Sequence, residues 1–540
     1  MSLNLSEDCH ELYITRYHAG QAPFILRLPL GRQRLQDLED DSGNDFDFAA
    51  GRDELRQIIQ LSDYSCQAPI DPSVKGAQSN WWAEREALDL RMRELTVNME
   101  NIWLGGFRGI FSQHHRESDL LARFRRSFES VLDRHLPSRQ GAKGRVKRLT
   151  LDSNVLELFI GLGDDQDGEI DIDEPLLDLL YFVIDILQFN GERNAYDEVD
   201  FDSIATETLD ALRSYHEAAT PSSVNSAHLI LILDKKLHAF PWESLPCLEG
   251  VSVSRVGSML SLRERIVTMR QKLQDSSNDL YTVTRSTGSY VLNPSSDLKS
   301  TQATLGPVLE ALKATEDSNW NAVANRAPNE AELTQALSDS SLYLYFGHGS
   351  GNQYIRNRAI RKLDKCSEVV WLMGCSSGVV TENGEYEPTS VPLSYLVAGQ
   401  RKSKDINARH GRTATTDLLE NGREGLCMAV VATLWDVTDK DIDRFSMRMG
   451  EEWGLWLTPS ANAQQSGRHA PKTPRKRGRE APDRTKTPSR SKSRVKNAEL
   501  GEKGKKSLPA AVASARQACH LRYLNGAATV VYGVPVFIGD

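Results

Sequence analysis

Apolar residues in this chain fall into tight runs separated by long polar and charged stretches, and the spacing within each run predicts its element. Leu12–Arg32 alternates enough for two strands, with a Gly-Gln-Ala-Pro turn between Tyr17 and Phe24. From Trp81 the apolar positions recur at helical spacing through Trp82, Leu88, Leu95 and Ile102, and the pattern stops at Gly105-Gly106. Arg116–Arg148 is basic and helix-compatible, with a solvated face, whereas Pro175–Phe189 is apolar nearly all round and should be a buried helix. His228–Leu233 (HLILIL) reads as a strand covered on both faces. Farther on, Tyr281–Val283 and Gly288–Leu292 suggest strands, and Ser300–Ala314 and Asn329–Leu337 suggest helices.

Two runs, Ser341–Phe346 and Glu368–Met373, then stand a crossover's length apart, with a basic, helix-compatible middle at Arg356–Lys365, so they read as parallel strands. Met428–Leu434 is a third buried strand, followed by a helix at Thr438–Met449. Ala510–Leu524 again has helical character, and Thr529–Ile538 closes the pattern as a strand. The fold class is therefore α/β: a mostly parallel sheet flanked by helices, preceded by a mixed α+β region. At 540 residues the chain is long for one domain, and the expected division is 1–277 and 278–540.

The chemistry sits where these strands end. The first gives Gly347-His348-Gly349 and the second Gly374-Cys375. Parallel neighbours end on one sheet edge, the edge on which open α/β sheets carry their sites. An ordinary thiol is only a few per cent thiolate at neutral pH, so a nucleophilic cysteine needs a neighbouring imidazole as base or ion-pair partner. Glycines flanking both residues permit close approach of substrate backbone, and the N–H groups of Gly349 and Cys375 are candidates for an oxyanion hole. Singly, a histidine at a strand end is a structural residue and a cysteine a small hydrophobe; the pair changes that reading. Asp436, at the end of the third strand, falls on the same edge and is a further candidate site residue. Its other reading is a turn or N-cap role ahead of the helix.

Composition narrows the classes. Hydrophobic residues make up 39% and the net charge is −9. No apolar run is long enough to span a bilayer, and no signal-peptide pattern opens the chain. The seven cysteines are scattered, odd in number and without CxxC spacing, which argues against a disulfide framework or a zinc site. An acidic stretch places Asp165, Asp167, Gly168, Ile170 and Glu174 at EF-hand-like offsets, but Gly163 holds the first ligand position, where calcium requires a carboxylate, so it reads as a solvated acidic loop. Around 459–508 the chain turns basic and nearly devoid of apolar residues: Arg468–Lys506 has 15 Lys/Arg against four Asp/Glu. Such a stretch cannot order itself by burial and is expected to be a disordered insertion. Thr473-Pro474 and Thr487-Pro488 offer proline-directed phosphorylation sites, and the arginine clusters offer nuclear import or a weak chromatin or nucleic-acid contact; a solvated linker is the competing reading.

GHGSG after an aromatic strand, MGCSSG after the next, LWDVTDKDIDRF after a third and HAFPWESLP upstream resemble the separase family, caspase-like cysteine proteases that open the cohesin ring at anaphase. The resemblance covers most of the chain and looks like the C-terminal part of such a protein. It implies a Cys375–His348 dyad without a third acid, cleavage after arginine with Asp436 in the arginine pocket, and no metal or nucleotide cofactor. It also implies a substrate-binding, pseudo-protease-like first domain, in which Trp242 and Glu243 are structural. The implied partners are the kleisin subunit of cohesin, as substrate with an acidic residue a few positions before the cleaved arginine, and the inhibitory chaperone securin. Location in nucleus and cytoplasm, with spindle or chromosome association in division, follows from the same resemblance. The competing reading is a catalytically silent module that binds kleisin or securin.

Overall fold

Leu342–Phe346 and Val369–Met373 are buried at every residue, as strands covered on both faces by helices must be. They lie near one end of a long sheet in the computed structural model, which describes residues 1–31, 46–67, 76–113, 117–140, 148–163, 172–219, 228–274, 280–315, 317–399, 425–456 and 506–539. The strands, in chain order, are β1 (Ser2–Leu5), β2 (Glu11–Arg16), β3 (Phe24–Pro29), β4 (His228–Leu233), β5 (Ser252–Arg255), β6 (Thr282–Thr284), β7 (Thr287–Leu292), β8 (Asn319–Ala324), β9 (Leu342–Phe346), β10 (Val369–Met373), β11 (Thr381–Asn383), β12 (Tyr386–Thr389), β13 (Ala429–Thr433), β14 (Thr529–Gly533) and β15 (Phe537–Gly539).

Eleven of them form one sheet in the order β3-β2-β1-β4-β5-β14-β13-β10-β9-β7-β8. Pairing is parallel except for β1 with β2, β2 with β3 and β13 with β14. The sheet crosses position 277/278 without a break, because β14 runs parallel to β5, with Tyr532 opposite Arg255. The last strand run is thus not a terminus of the sheet but its bridge. Pro535 lies in the gap that divides the expected single strand Thr529–Ile538 into β14 and β15, and β15 leaves to pair with β6. β4 alternates between half-buried and buried residues, so one of its faces is only partly covered, contrary to the reading of its continuous apolar run. Five strands have no clear apolar signal: β1 and β5, each only four residues long, the polar pair β11 and β12, and the edge strand β8, with exposed Asn319 and Asn321.

The bridge is secured by a buried ion pair. Arg255 on β5 donates from Nε and Nη2 to the Glu243 carboxylate at 2.6 and 2.7 Å, and its Nη1 and Nη2 reach the His238 and Phe240 carbonyls. Burial works to raise the Glu243 pKa, but the guanidinium outweighs it and holds the carboxyl below its ordinary range. The HAFPWESLP motif is therefore internal scaffold.

Helices Phe48–Gln67 and Ala77–Asn98 pack against each other, and the second continues through a π-turn at Met99–Leu104 into a tight 3-10 stretch from Gly105, where the glycine signal predicted the stop. Ser118–His135 buries Phe124, Phe128, Val131 and Leu132 and turns its arginines outward. Asp173–Phe189 buries one face, through Pro175, Leu176, Leu179, Leu180, Val183, Ile184 and Leu187, but Asp173, Glu174, Asp185 and Phe189 are exposed, so it is not covered all round as its apolar run suggested. The basic middle between β9 and β10 supplies only one helical turn, Asn357–Ile360. The acidic positions 165–170, the loop 400–424 and nearly all of the basic tract, including Thr473 and Thr487, lie outside the described residues. Among those described, no helix is long and apolar enough to cross a membrane.

Candidate active site

The register pairs Met373 with Phe346, so β9 and β10 end level and their next residues turn off the sheet together. A glycine is required at 374. A Cβ there would lie 2.2 Å from the carbonyl oxygens of both Gly347 and Gly349, so the loop carrying Cys375 rests directly on the loop carrying His348. The Tyr345 hydroxyl donates to the His348 carbonyl at 2.8 Å and fixes that loop from below. Gly349 has φ of +61° with open space where a side chain would stand. His348 and Cys375 line one cleft with Leu298, Thr301, Asp439 and Asp443. The two predicted residues are thus brought to one site.

Their hydrogen bonds, however, point elsewhere. The Cys375 thiol is half-buried and donates to the Val437 carbonyl at 3.3 Å. Burial pushes its pKa up to about 11, against the bond to Val437, and the carboxylates of Asp436 and Asp439 add to the rise. The His348 Nε2 lies 3.0 Å from Oδ2 of Asp297, and that bond holds the Asp297 carboxyl below its ordinary range. Asp439, in the first turn of helix Asp439–Trp453, lines the same cleft; burial raises its pKa, His348 opposes this, and the Asp297 charge adds to the rise. Deeper in the cleft burial brings Asp443 up to about 6, despite a 3.1 Å bond from Thr301.

Asp436 follows β13 on the same edge as Cys375. Its Oδ1 accepts the hydroxyl of Ser376, a non-glycine residue with φ of +52°. It does not cap the following helix, whose N-cap is Thr438. A second carboxylate reaches it from far upstream: Asp63, near the end of helix Phe48–Gln67, is pushed up to about 6 by burial and by the Asp436 charge, against the pull of Arg85. One Asp63 oxygen, Oδ1, is buried without a hydrogen-bond partner among the described residues. Arg85 is fully buried and engages Ser62, Ser65 and Cys66 on that same helix end. Asp89 accepts the amides of Tyr523 and Leu524, and Asn525 in turn bonds Thr438 and Asp441. These upstream residues gave no local sequence signal, because an aspartate on an amphipathic helix reads as a solvated face. Among the described residues no cluster of His, Cys, Asp or Glu suits a metal ion.

Comparison with known proteins gives a family model, the separin protease domain, matching residues 7–442. The chain is similar to separin of Emericella nidulans, 45% identical over 537 residues that cover 99% of this chain and 22% of that protein. It is similar also to separin of Schizosaccharomyces pombe, 35% identical over 538 residues, 100% of this chain and 25% of the relative. Among solved structures, a crystal structure of the Saccharomyces cerevisiae separase–securin complex superimposes with a TM-score of 0.75 at 28% identity, covering 100% of this chain and 30% of that one. The chain thus spans about a quarter of the length of the curated relatives it matches.

Proposed function

The chain belongs to the separin protease family, and on that premise we propose that it is a cysteine endopeptidase that cleaves the kleisin subunit of cohesin after arginine. The observation that carries the reading is the contact of Gly374 with the carbonyls of Gly347 and Gly349, which demands that two reactive residues from adjacent parallel strands share one cleft. The Cys375 thiol rests on the Val437 carbonyl, and His348 draws its proton or forms an ion pair with it as the reaction starts. As substrate enters, His348 takes the Sγ proton, and the sulfur attacks the scissile carbonyl. The N–H groups of Gly349 and Cys375 hold the oxyanion, and His348 passes its proton to the leaving amine. Water, deprotonated by His348, then releases the acyl group.

Asp436 pairs the substrate guanidinium, and Asp63 supplies a second carboxylate to the same pocket. An arginine side chain there would neutralise a pair that otherwise repels itself. Residues 1–277 serve as the substrate-binding half and 278–540 as the catalytic half. Securin is the inhibitory partner on this reading, supported by the solved complex of the yeast relative. Action at chromosomes, in nucleus and cytoplasm, belongs to the same proposal, as does a weak chromatin contact through the basic tract.

The test is cleavage of a fluorogenic peptide ending in Glu-x-x-Arg by the 540-residue chain. Cleavage lost in Cys375→Ser and His348→Ala, and lost arginine preference in Asp436→Ala, is the expected result. Cleavage that survives Cys375→Ser overturns the nucleophile, and a wild-type chain that binds a kleisin peptide without cutting it is a silent module.

A further inference from the structure

We infer that Asp297 is the positioning residue of the catalytic base: its carboxylate, 3.0 Å from Nε2 of His348, holds the imidazole in the tautomer that offers Nδ1 to Cys375. The inference rests on the proposed endopeptidase reading and adds to its dyad a residue outside it. A neutral imidazole has one N–H and one lone pair, and a carboxylate can only accept, so the Nε2 proton is fixed by this partner.

Both side chains are more than half exposed, and such a pair contributes little to stability. What makes it more than a surface contact is the loop that presents it. Asn293 receives the chain from β7, and its N–H bonds the Phe346 carbonyl at 2.8 Å, the last residue of the strand that leads to His348. The Asn293 side chain accepts from the Leu298 amide at 2.9 Å and donates to Asn325 at 3.0 Å, while the Ser296 hydroxyl donates to the Asn325 carbonyl at 2.8 Å. Asp297 is thereby braced to β9 itself. Among the described residues, five that are not glycine have positive φ; three of them, Asn293, Ser296 and Asn325, build this loop, and a fourth, Ser376, follows Cys375. Each such conformation costs free energy and persists where the surroundings impose it. Asp439 is the rival for the role, since it lines the same cleft and its carboxylate interacts electrostatically with His348.

The experiment measures kcat and KM for a Glu-x-x-Arg fluorogenic peptide with the 540-residue chain and its Asp297→Ala, Asp297→Asn, Asp297→Glu and Asp439→Asn variants. Alongside, 15N NMR of the imidazole identifies the His348 tautomer. Loss of Asp297 should lower kcat by about tenfold to a hundredfold with KM changed by no more than about twofold. Asp297→Glu should restore most of it, and the Nε2–H signature should weaken in Asp297→Ala alone. A wild-type kcat and unchanged tautomer in Asp297→Ala overturn the inference, as does the same loss in Asp439→Asn with none in Asp297→Ala. Should the wild-type chain fail to cleave, the endopeptidase reading fails, and the tautomer measurement still decides the role of Asp297.

Discussion

Asp63 and Asp436 stand 373 positions apart in the chain and titrate as neighbours, the charge on the second helping to push the first up to about 6. This has a pH signature in substrate recognition. On the proposed arginine-pocket reading a guanidinium binds more tightly when both carboxylates are ionised, so KM for an arginine peptide should rise several-fold as pH falls from 7.5 to 5.5, and Asp63→Asn should remove most of that rise. Steady-state kinetics across the range checks it.

The same pair sets a stability prediction. A carboxyl whose pKa is raised in the folded state from 3.8 to about 6 favours folding below pH 3.8 and loses that contribution as pH rises through 6. Asp63→Asn should therefore melt higher than wild type at pH 8 and equally at pH 4. Solvent screening at this partly exposed group limits the gain to about 1 kcal/mol. Thermal melts at the two pH values decide it.

His228 and His238 carry the opposite sign. Burial brings both down to about 4, and His228 sits between the hydroxyls of Ser252 and Ser254 at 2.7 and 2.9 Å. Their neutral forms stabilise the fold above pH 6.5, and that contribution is lost as pH falls through 4, on the order of 3 kcal/mol each. Urea denaturation should show stability dropping between pH 6.5 and 4, with a shallower drop in His228→Gln.

Breaking the buried pair at the bridge should cost far more than any surface pair. Glu243→Ala leaves the Arg255 guanidinium buried without its carboxylate partner, a loss of about 3–5 kcal/mol. Chemical denaturation with circular dichroism measures it; a loss under about 1 kcal/mol would mean that water reaches the arginine.

Gly374→Ala is the sharpest probe of the cleft. A methyl group 2.2 Å from two carbonyl oxygens must push the Cys375 and His348 loops apart, so turnover should fall by at least about a hundredfold. Iodoacetamide should still alkylate the thiol, at a rate that climbs with pH toward 11 in wild type and variant alike.

The sequence by itself determined the strands Leu342–Phe346, Val369–Met373 and Ala429–Thr433 and the common edge at which His348, Cys375 and Asp436 emerge, because apolar periodicity and flanking glycines are local properties written into adjacent residues. The internal role of Glu243 followed only from the family resemblance of its motif. Only the tertiary structure decided that β14 joins the two halves into one sheet, that the charge of Asp436 is felt at Asp63, and that Asp297 faces His348. Those relations depend on pairings between segments tens to hundreds of residues apart, and a polar residue on a helix or in a loop shows the same local pattern whether it meets water or a buried partner.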